Sequence, residues 1–364
     1  MQNVTAQAFK YGLNVFFNPK TLGFDLEDFV IAEQAPTVVK APPSIACIPF
    51  AEAMQQKKYA AFLEEIINSK DERAPQIVDW HRTHIGNGVL IHIPAHAKTE
   101  APIRLDLTLG DAHRVENIVV IADEGSEVTI VEHLSSKENL SSATRSAVID
   151  IIAGAHAKVT HISVQNFSNT VSDFSAKRTR LAKNASVRWI ECVFGADYAQ
   201  SRVSTRLEGE GASSHLMAMW FGAGRQKFDL RHAVHHLASH TTSNITTRGA
   251  LDGHAKTIYR GLVRIDAGTV GCSGHQKEDT LLLGPDVEID AMPDLEIAAN
   301  DVRCGHSASA SRLDKEKMFY MMSRGLSEAD ARKTLIEGFF APIVHDMRDS
   351  GLEDMVNCLI ASRL

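Results

Sequence analysis

The chain has 364 residues, of which 44% are hydrophobic and 23% charged, and its formal net charge is −7. A chain of this length can bury more than one core, or it can form one elongated repeat fold. Both signs of charge are spread along the sequence without a basic run, so we do not expect nucleic acid as a partner. No apolar stretch approaches the ~20 residues that a bilayer-spanning helix needs, so we expect no membrane insertion.

The cysteines are five in number, widely scattered, and without a Cys-x-x-Cys pair. An odd count without framework spacing, and no apolar secretory segment after Met1, argue against a disulfide-stapled secreted protein. We therefore expect a reducing, cytoplasmic compartment. The cysteines are Cys47, Cys192, Cys272, Cys304 and Cys358.

Residues 1–80 are predicted to form a mixed segment with helical parts. Prolines interrupt its early part at Pro36, Pro42 and Pro43, and apolar residues have helical spacing between Phe50 and Asn68. No residue pattern in this segment indicates a catalytic or binding site, so we expect the segment to pack against the rest of the chain or to cap it.

Residues 81–311 are predicted to form a β core. Short β-branched runs alternate apolar and polar positions, as in Val89–Ile93, Ile118–Ile121 and Val187–Ile190. Hardly any helix-period stretch is interleaved with them. The region therefore reads as all-β.

Small-residue turns recur between these runs. Four of them lie 31, 28 and 27 residues apart, a period typical of solenoids, in which each coil buries its face only by stacking on its neighbours. The turns begin at Gly125, His156, Asn184 and Gly211, and a further one begins at His254. We predict a mainly β fold, a right-handed parallel β-helix. A β-sandwich, which also has many short strands, stays open as the alternative.

Residues 312–364 are predicted to be α-helical. Asp314 can cap a first helix that stops at Gly325, and Ser327 can cap a second. The second helix has an apolar stripe, and Pro342 should end or bend it. The helical pair can cover the open end of the β-helix, or its exposed face can dock a partner.

The segment Asp301–His306 places a thiol and an imidazole two residues apart. In an extended segment Cys304 and His306 project to the same side, because side chains alternate between faces. Thiolate and imidazole suit iron or zinc. One Cys and one His cannot close a tetrahedral site, so a metal would need further ligands, most simply from across an interface. The alternative is a small buried cysteine and a hydrogen-bonded histidine.

A second group of candidate ligands lies within twelve residues of sequence: Asp229, His232, His235, His236 and His240. Its density suggests metal binding, but polar residues stacked along a β-helix and satisfied by hydrogen bonds explain it equally well. Cys272 and His275 lie near a glycine-rich turn and are interpreted as structural. Cys192, if interior, would lie on a route for sulfur through the β-helix bore.

Taken together, several motifs resemble the SufB/SufD family of iron-sulfur cluster assembly proteins. The resemblance covers about residues 84–345 and is densest from Leu281 to Val344. Its main segments are Leu281–Gly284, Met292–Ile297, Asp301–His306 and Phe319–Glu328. The family usually has Cys-Ser-His-Gly-Ala-Thr where this chain has Cys-Gly-His-Ser-Ala-Ser from Cys304 to Ser309, and both candidate ligands are kept.

Within that family the chain looks SufD-like. SufB-like members carry a cysteine just before the Pro-x-x-Glu segment, whereas Gly284 to Met292 contains none. The resemblance implies a non-enzymatic scaffold subunit that pairs with a SufB-like subunit, or with itself, and with a SufC-type ABC ATPase. It also implies that Cys304 and His306 are half of an interface site for a transient iron-sulfur cluster, passed on to apoproteins or carriers.

The resemblance, with the apolar flank of the helix joint, makes that joint the candidate ATPase docking surface. Its residues are Arg324, Gly325, Leu326, Ser327 and Glu328. The sequence contains no Gly-x-x-x-x-Gly-Lys-Ser/Thr motif, so we expect any ATP site on another subunit. Two alternatives stay open: a SufB-like scaffold that holds a cluster alone, and a β-helix enzyme acting on polysaccharide.

Overall fold

The structure, a computed structural model, describes residues 37–68, 81, 88–110, 114–137 and 140–364. The strands are β1 Thr37–Lys40, β2 Ala46–Pro49, β3 Gly88–Ile93, β4 Ile103–Leu109, β5 Arg114–Ala122, β6 Glu127–Ser136, β7 Ala143–Ala153, β8 Lys158–Asn166, β9 Val171–Leu181, β10 Ser186–Val193, β11 Tyr198–Leu207, β12 Ser213–Gly222, β13 Lys227–His236, β14 Thr242–Leu251, β15 Lys256–Ile265, β16 Cys272–Leu282, β17 Glu288–Ile297 and β18 Val302–Ser311. The helices with described bounds are α1 Phe50–Ala53, α2 Ala60–Asn68, α3 Lys315–Ser323, α4 Glu328–His345 and α5 Ser350–Ala361.

The strands form two nine-stranded sheets. Sheet I contains β1 and the even-numbered strands from β4 to β18, and sheet II contains β2 and the odd-numbered strands from β3 to β17. Each coil contributes one strand to each sheet, and neighbouring coils pair in parallel, which produces a β-solenoid of about 8 turns. The predicted parallel β-helix is confirmed. The sandwich alternative is wrong, because the sheets of a sandwich are antiparallel.

The core fills the space between the two sheets. Alternate residues of each strand point inward, so Val187 and Trp189 of β10 meet Leu207 of β11 in one buried cluster. At the first coil β1 and β2 pair antiparallel with β4 and β3, which reverses the direction of the ladder there.

One corner of the solenoid is a column of residues with left-handed backbone. Their φ angles lie between 55° and 72°, and each donates its backbone N–H to a carbonyl oxygen of the next coil at 2.8 to 3.3 Å. They are His96, Gly125, His156, Asn184, Gly211, His240 and Gly271. The four regularly spaced turns of the sequence belong to this column. The turn at His254 does not, since it precedes a strand of sheet II at the opposite corner.

Glycine is required in this column where a ring from the preceding coil covers the corner. A Cβ on Gly125 would lie 2.5 Å from Nδ1 of His96, and one on Gly271 would lie 2.5 Å from Nδ1 of His240. Side chain and glycine therefore alternate between those coils.

The amino-terminal helices pack on the outer face of sheet II. Phe50 of α1 and Leu63 of α2 share a buried cluster with Leu90 and Val119 of β3 and β5. The helical spacing predicted for residues 50–68 produces two short helices rather than one. The predicted features of residues 1–36 and 69–80 lie outside the described residues.

The carboxy-terminal helices α4 and α5 pack on the outer face of sheet I. Phe340 of α4 lies against Phe221 of β12, with ring centroids 6.4 Å apart, inside a cluster that also contains Met219 and Val356. The helices therefore cover the flank of the solenoid, not its open end, which corrects one of the two expected roles.

The predicted caps of these helices are present. The Asp314 side chain accepts from two backbone N–H groups at the start of α3, and Ser327 accepts from the backbone of Asp330 at the start of α4. Pro342 does not end α4, which continues to His345. None of the described helices combines the length and apolar character that crossing a bilayer requires.

Candidate functional site at the open end of the solenoid

The solenoid ends in two long edge strands, β17 in sheet II and β18 in sheet I. Each has ten residues and pairs with a single neighbour among the described strands. Core positions at this end, such as Leu295 and Val302, are only partly buried. Unpaired backbone groups and half-exposed apolar side chains together form a template for another strand.

Cys304 and His306 lie on β18 at this end. In the parallel pairing of β18 with β16, Cys304 is aligned with Gly274 and His306 with Gln276. Cys304 packs half-buried against the core, while His306 is exposed. Because they are two residues apart on one strand, both side chains point toward the same side. The two candidate ligands thus sit at the mouth of the bore.

The environment of Cys304 favours the thiol over the thiolate. Burial raises the pKa of Cys304 above its ordinary value, although a hydrogen bond from the backbone of Gly274 acts in the opposite direction. A metal ligand must be the thiolate, so a metal or cluster would have to displace this proton.

The bore beside the pair carries a row of polar residues at one register position of sheet I. They are Glu132, Ser163, Glu191, Thr247 and Glu278, with Ala218 between Glu191 and Thr247. The row ends beside Ala308 of β18, close to the open end. The interior of this solenoid is therefore only partly apolar.

Glu191 of this row lies deep in the bore and is paired with charged side chains. Burial alone would raise the pKa of Glu191, but the Lys177 ammonium and His232 hold it well below its ordinary range. His232 Nε2 lies 3.1 Å from Oε2 of Glu191, and the Ser201 hydroxyl donates to Oε1 at 2.6 Å. Such pairing is what allows ions to be buried.

Glu278 is the glutamate of this row that lies toward the open end. Burial raises the pKa of Glu278 to about 7, and its Oε2 atom is buried without a hydrogen-bond partner among the described residues. Sequence reasoning missed this carboxylate. Alternation along β16, from Cys272 through Gly274 and Gln276, would have placed it inside the bore.

The histidine-rich group on β13 is split between two environments. His232 and His236 point inward and are buried. The two ring nitrogens of His236 lie 2.8 Å from the hydroxyls of Thr241 and Ser243. Both ring nitrogens of His236 are therefore engaged in hydrogen bonds, as expected if the histidine group is structural rather than a metal site.

The remaining members of the histidine group lie elsewhere. Asp229 pairs with Arg260, and His235 pairs with Asp266 at 2.7 Å, both outside the bore. His240 is a corner residue beyond the end of β13, so it does not share a strand face with His236. Across the described residues, no three His, Cys, Asp or Glu side chains are placed to hold a metal ion.

Three other sequence candidates are now located. Cys272 is buried in the core and His275 is exposed, since they are three residues apart on β16. Cys192 lies in the cluster under α4 and α5, on the outside of sheet I. The interior position that a sulfur route through Cys192 would require is not found, because Glu191 and Val193 occupy the inward positions of β10.

The joint between α3 and α4 contains Arg324 to Glu328. Gly325 has a φ of +99° there, a conformation that favours glycine. The preceding helix α3 has no buried residue, and its aromatic side chains Phe319 and Tyr320 are 74% and 59% exposed. Leu326 continues this exposed apolar surface. We call Phe319, Tyr320, Met322 and Leu326 the α3 patch.

The chain matches known proteins over most of the solenoid. Residues 107–339 match the family model described as SUF system FeS cluster assembly, SufBD core domain. An iron-sulfur cluster assembly SufBD family protein of Mycobacterium leprae is 31% identical over 270 residues, which cover 72% of this chain and 31% of that protein. Similar proteins of Staphylococcus haemolyticus and Staphylococcus epidermidis are 29% identical over 262 residues, covering 71% of this chain and 56% of each relative. The chain thus spans from about a third to just over half the length of these curated relatives.

Proposed function

Because this chain belongs to the SufBD family of iron-sulfur cluster assembly proteins, we propose that it is a SufD-like, non-enzymatic subunit of a cytoplasmic scaffold for nascent clusters. Its partners are a SufB-like subunit, or a second copy, and a SufC-type ATPase. The observation that carries this proposal is the open end of the solenoid, where β17 and β18 each have one edge unpaired among the described strands and β18 presents Cys304 and His306.

The open end suits a paired subunit for two reasons. The free edges of β17 and β18 can be completed by strands of another chain, and the partly buried residues Leu295 and Val302 would become fully buried at the same time. The cluster, as cargo, would then be held by Cys304 and His306 together with ligands from the partner. One thiolate and one imidazole are too few to hold it alone.

We place the ATPase on the α3 patch and on the joint from Arg324 to Glu328. Exposed aromatic residues on a helix suit insertion into a groove of a partner. Since the sequence lacks a phosphate-binding loop motif, ATP would bind to the partner and act on this chain mechanically. A cluster completed at the open end would pass to apoproteins or carriers.

Anaerobic reconstitution with iron and sulfide tests the half site. We expect no stable charge-transfer absorbance from the isolated chain, and a clear absorbance from the chain paired with a SufB-like subunit. Cys304→Ala should reduce the absorbance of the pair, whereas Cys358→Ala, a substitution of an exposed thiol on α5, should not. A stable cluster on the isolated chain would instead favour a SufB-like scaffold.

Pull-down with a SufC-type ATPase tests the docking surface. Phe319→Ala combined with Leu326→Asp should abolish capture, because both side chains are exposed and available to a partner. Leu364→Ala, at an exposed position outside the α3 patch, is the matched control. Capture that survives the double substitution would place the ATPase elsewhere.

A further inference from the structure

The two edge strands at the open end carry different charges on their outward faces. Outward residues of β17 alternate with inward ones such as Leu295, which packs against the core. The outward residues of β17 are Glu288, Asp290, Met292, Asp294 and Glu296. Those of β18 are Arg303, Gly305, Ser307, Ser309 and Ser311. The outward face of β17 therefore presents four carboxylates and no cation, whereas that of β18 presents one cation and no carboxylate.

The two outermost carboxylates of β17 have counter-ions on the adjacent strand β15. Glu288 pairs with Lys256 at 2.6 Å. Glu296 lies 3.9 Å from Arg264. The charge at both ends of β17 is therefore at least partly balanced within the chain.

The two central carboxylates, Asp290 and Asp294, are not balanced in this way. Arg260, the remaining cation of β15, is aligned with the position between them but pairs with Asp229. Neither aspartate has an ion pair among the described residues, and Oδ2 of Asp290 also has no hydrogen-bond partner there. Asp294 is exposed. The centre of the edge strand therefore presents negative charge that a partner can neutralise.

Two copies of the chain can meet at their open ends in two symmetric arrangements. In the like-on-like arrangement each edge strand pairs antiparallel with the same strand of the other copy. In the crossed arrangement β17 pairs with β18 of the other copy. Both keep outward side chains outward, because a shift of one residue would turn the core side chains toward solvent.

The like-on-like arrangement sets carboxylates against carboxylates. They fill four of the five outward positions of β17 and are symmetric about Met292. Full overlap places Asp290 opposite Asp294 of the other copy and Glu288 opposite Glu296. Every shifted register that keeps the outward residues on one face still leaves at least one carboxylate opposite another. Like charges directly opposite each other destabilise a strand pair.

The crossed arrangement avoids this repulsion but adds no ligand to the half site. Cys304 of one copy would then face the inward residues of β17 of the other copy. Those inward residues are Ile289, Ala291, Pro293, Leu295 and Ile297, and none of their side chains binds a metal. A second copy therefore either meets repulsion or leaves Cys304 and His306 without further ligands.

We propose that the acidic outward face of β17 selects a partner other than a second copy, namely a chain whose edge strand facing β17 carries lysine or arginine on its outward face. This inference rests on the proposed function, which puts a paired subunit at the open end, and it names the chemistry that chooses that subunit. Complementary charge across an interface favours one partner, and like charge excludes another.

Sedimentation of the full chain, with one partner fluorescently labelled, measures pairing without iron or ATPase. Asp290→Lys with Asp294→Lys should pair with the wild type about tenfold more tightly than the wild type pairs with itself, because opposite charges replace like charges. High salt should weaken this mixed pair and strengthen the wild-type self-pair. A SufB-like subunit should bind the lysine variant more weakly than it binds the wild type.

Glu64→Lys with Asp354→Lys is the matched control, since it changes the net charge equally at exposed positions on α2 and α5. It should pair with the wild type no more tightly than the wild type pairs with itself. Asp294→Lys alone, at an exposed position, keeps the test valid if the Asp290 substitution lowers the melting temperature.

The proposal is overturned if the lysine variant and the control pair equally with the wild type, or if a SufB-like subunit binds the lysine variant as tightly as the wild type. Iron enters none of these measurements. A half site that fails to hold a cluster, together with charge-dependent pairing, would therefore count against the proposed function and not against this inference.

Discussion

Sheet I and sheet II enclose the same core, yet their outer faces differ in what they contact. On sheet I the outward residues of the central coils are apolar, including Cys192, Met219 and Phe221, and the chain covers them with its own helices. On sheet II the corresponding positions carry arginines, among them Arg178, Arg202 and Arg231, which line a groove. The inward residues form the core of the coils. The outward residues therefore determine whether a face packs against helices of the same chain or contacts other molecules.

The covered face should depend strongly on Phe340. Phe340→Ala is expected to destabilise the protein by about 4 kcal/mol, since it removes a buried aromatic side chain from between α4 and sheet I. Phe319→Ala, at a 74% exposed position on α3, should change stability by less than about 0.5 kcal/mol. Urea unfolding measures both. Equal effects would mean that the helices do not depend on this face.

On the outer face of sheet II, Arg178 has a structural role. Arg178→Ala should cost about 3 kcal/mol at pH 7, because the buried Asp150 carboxylate loses its bidentate partner. Burial already raises the pKa of Asp150, and without Arg178 it should rise further. The penalty should therefore shrink as pH falls and Asp150 takes up a proton.

Arg206→Ala is the matched control for Arg178→Ala. Arg206 is 51% exposed and shares its carboxylate with a second arginine, so its loss should hardly change stability. Urea unfolding of both variants at pH 7 and pH 5 separates the arginine that supports the fold from those that face solvent. A large effect for Arg206→Ala would contradict that division.

A buried histidine of the core should make the free energy of unfolding depend on pH, independently of either outer face. Burial lowers the pKa of His236 to about 4, whereas an unfolded histidine titrates near 6.5. As pH falls below about 6.5 the unfolded chain binds a proton that the folded chain does not, so stability decreases, by about 2 kcal/mol between pH 7 and pH 5. His236→Gln should flatten this dependence in urea unfolding, and His254→Gln, at an exposed position, should leave it unchanged.

The smallest predicted difference is between the melting temperatures of alanine substitutions at the two corners of the solenoid. Gly125 and Gly224 both have positive φ, at 66° and 62°, so alanine at either position costs about 1 kcal/mol in backbone strain. Only Gly125 has a ring where the Cβ would lie, since nothing is within 4 Å of that position at Gly224. Gly125→Ala should therefore melt below Gly224→Ala. The reverse order would mean that the corner column tolerates side chains.

The fold was predictable because its repeat is local. Turns at Gly125, His156, Asn184 and Gly211 recur at nearly constant spacing, and each marks a coil that can only be buried by stacking. The caps at Asp314 and Ser327 were predictable for the same reason, since they depend on residues within one helical turn.

The register between coils was not predictable, and the missed features depend on it. Coil lengths vary, so sequence spacing cannot align Arg202 with Arg231, or Glu191 with Glu278 at the two ends of one row. The side on which Cys192 lies could not be assigned either, because a shift of one residue in register exchanges inside and outside. Cys304 and His306 could be proposed as a pair from the sequence because they lie two residues apart on one strand.

The two ends of the ladder are unequal, and this has a consequence for assembly. At the first coil, β1 and β2 have only four residues each and β2 ends in Pro49, and both short length and proline protect a sheet edge from further pairing. At the last coil, β17 and β18 offer ten residues each. In the proposed assembly, pairing through the long edges of β17 and β18 would join two solenoids, and among the described strands no comparably long free edge is left from which a fibre could grow.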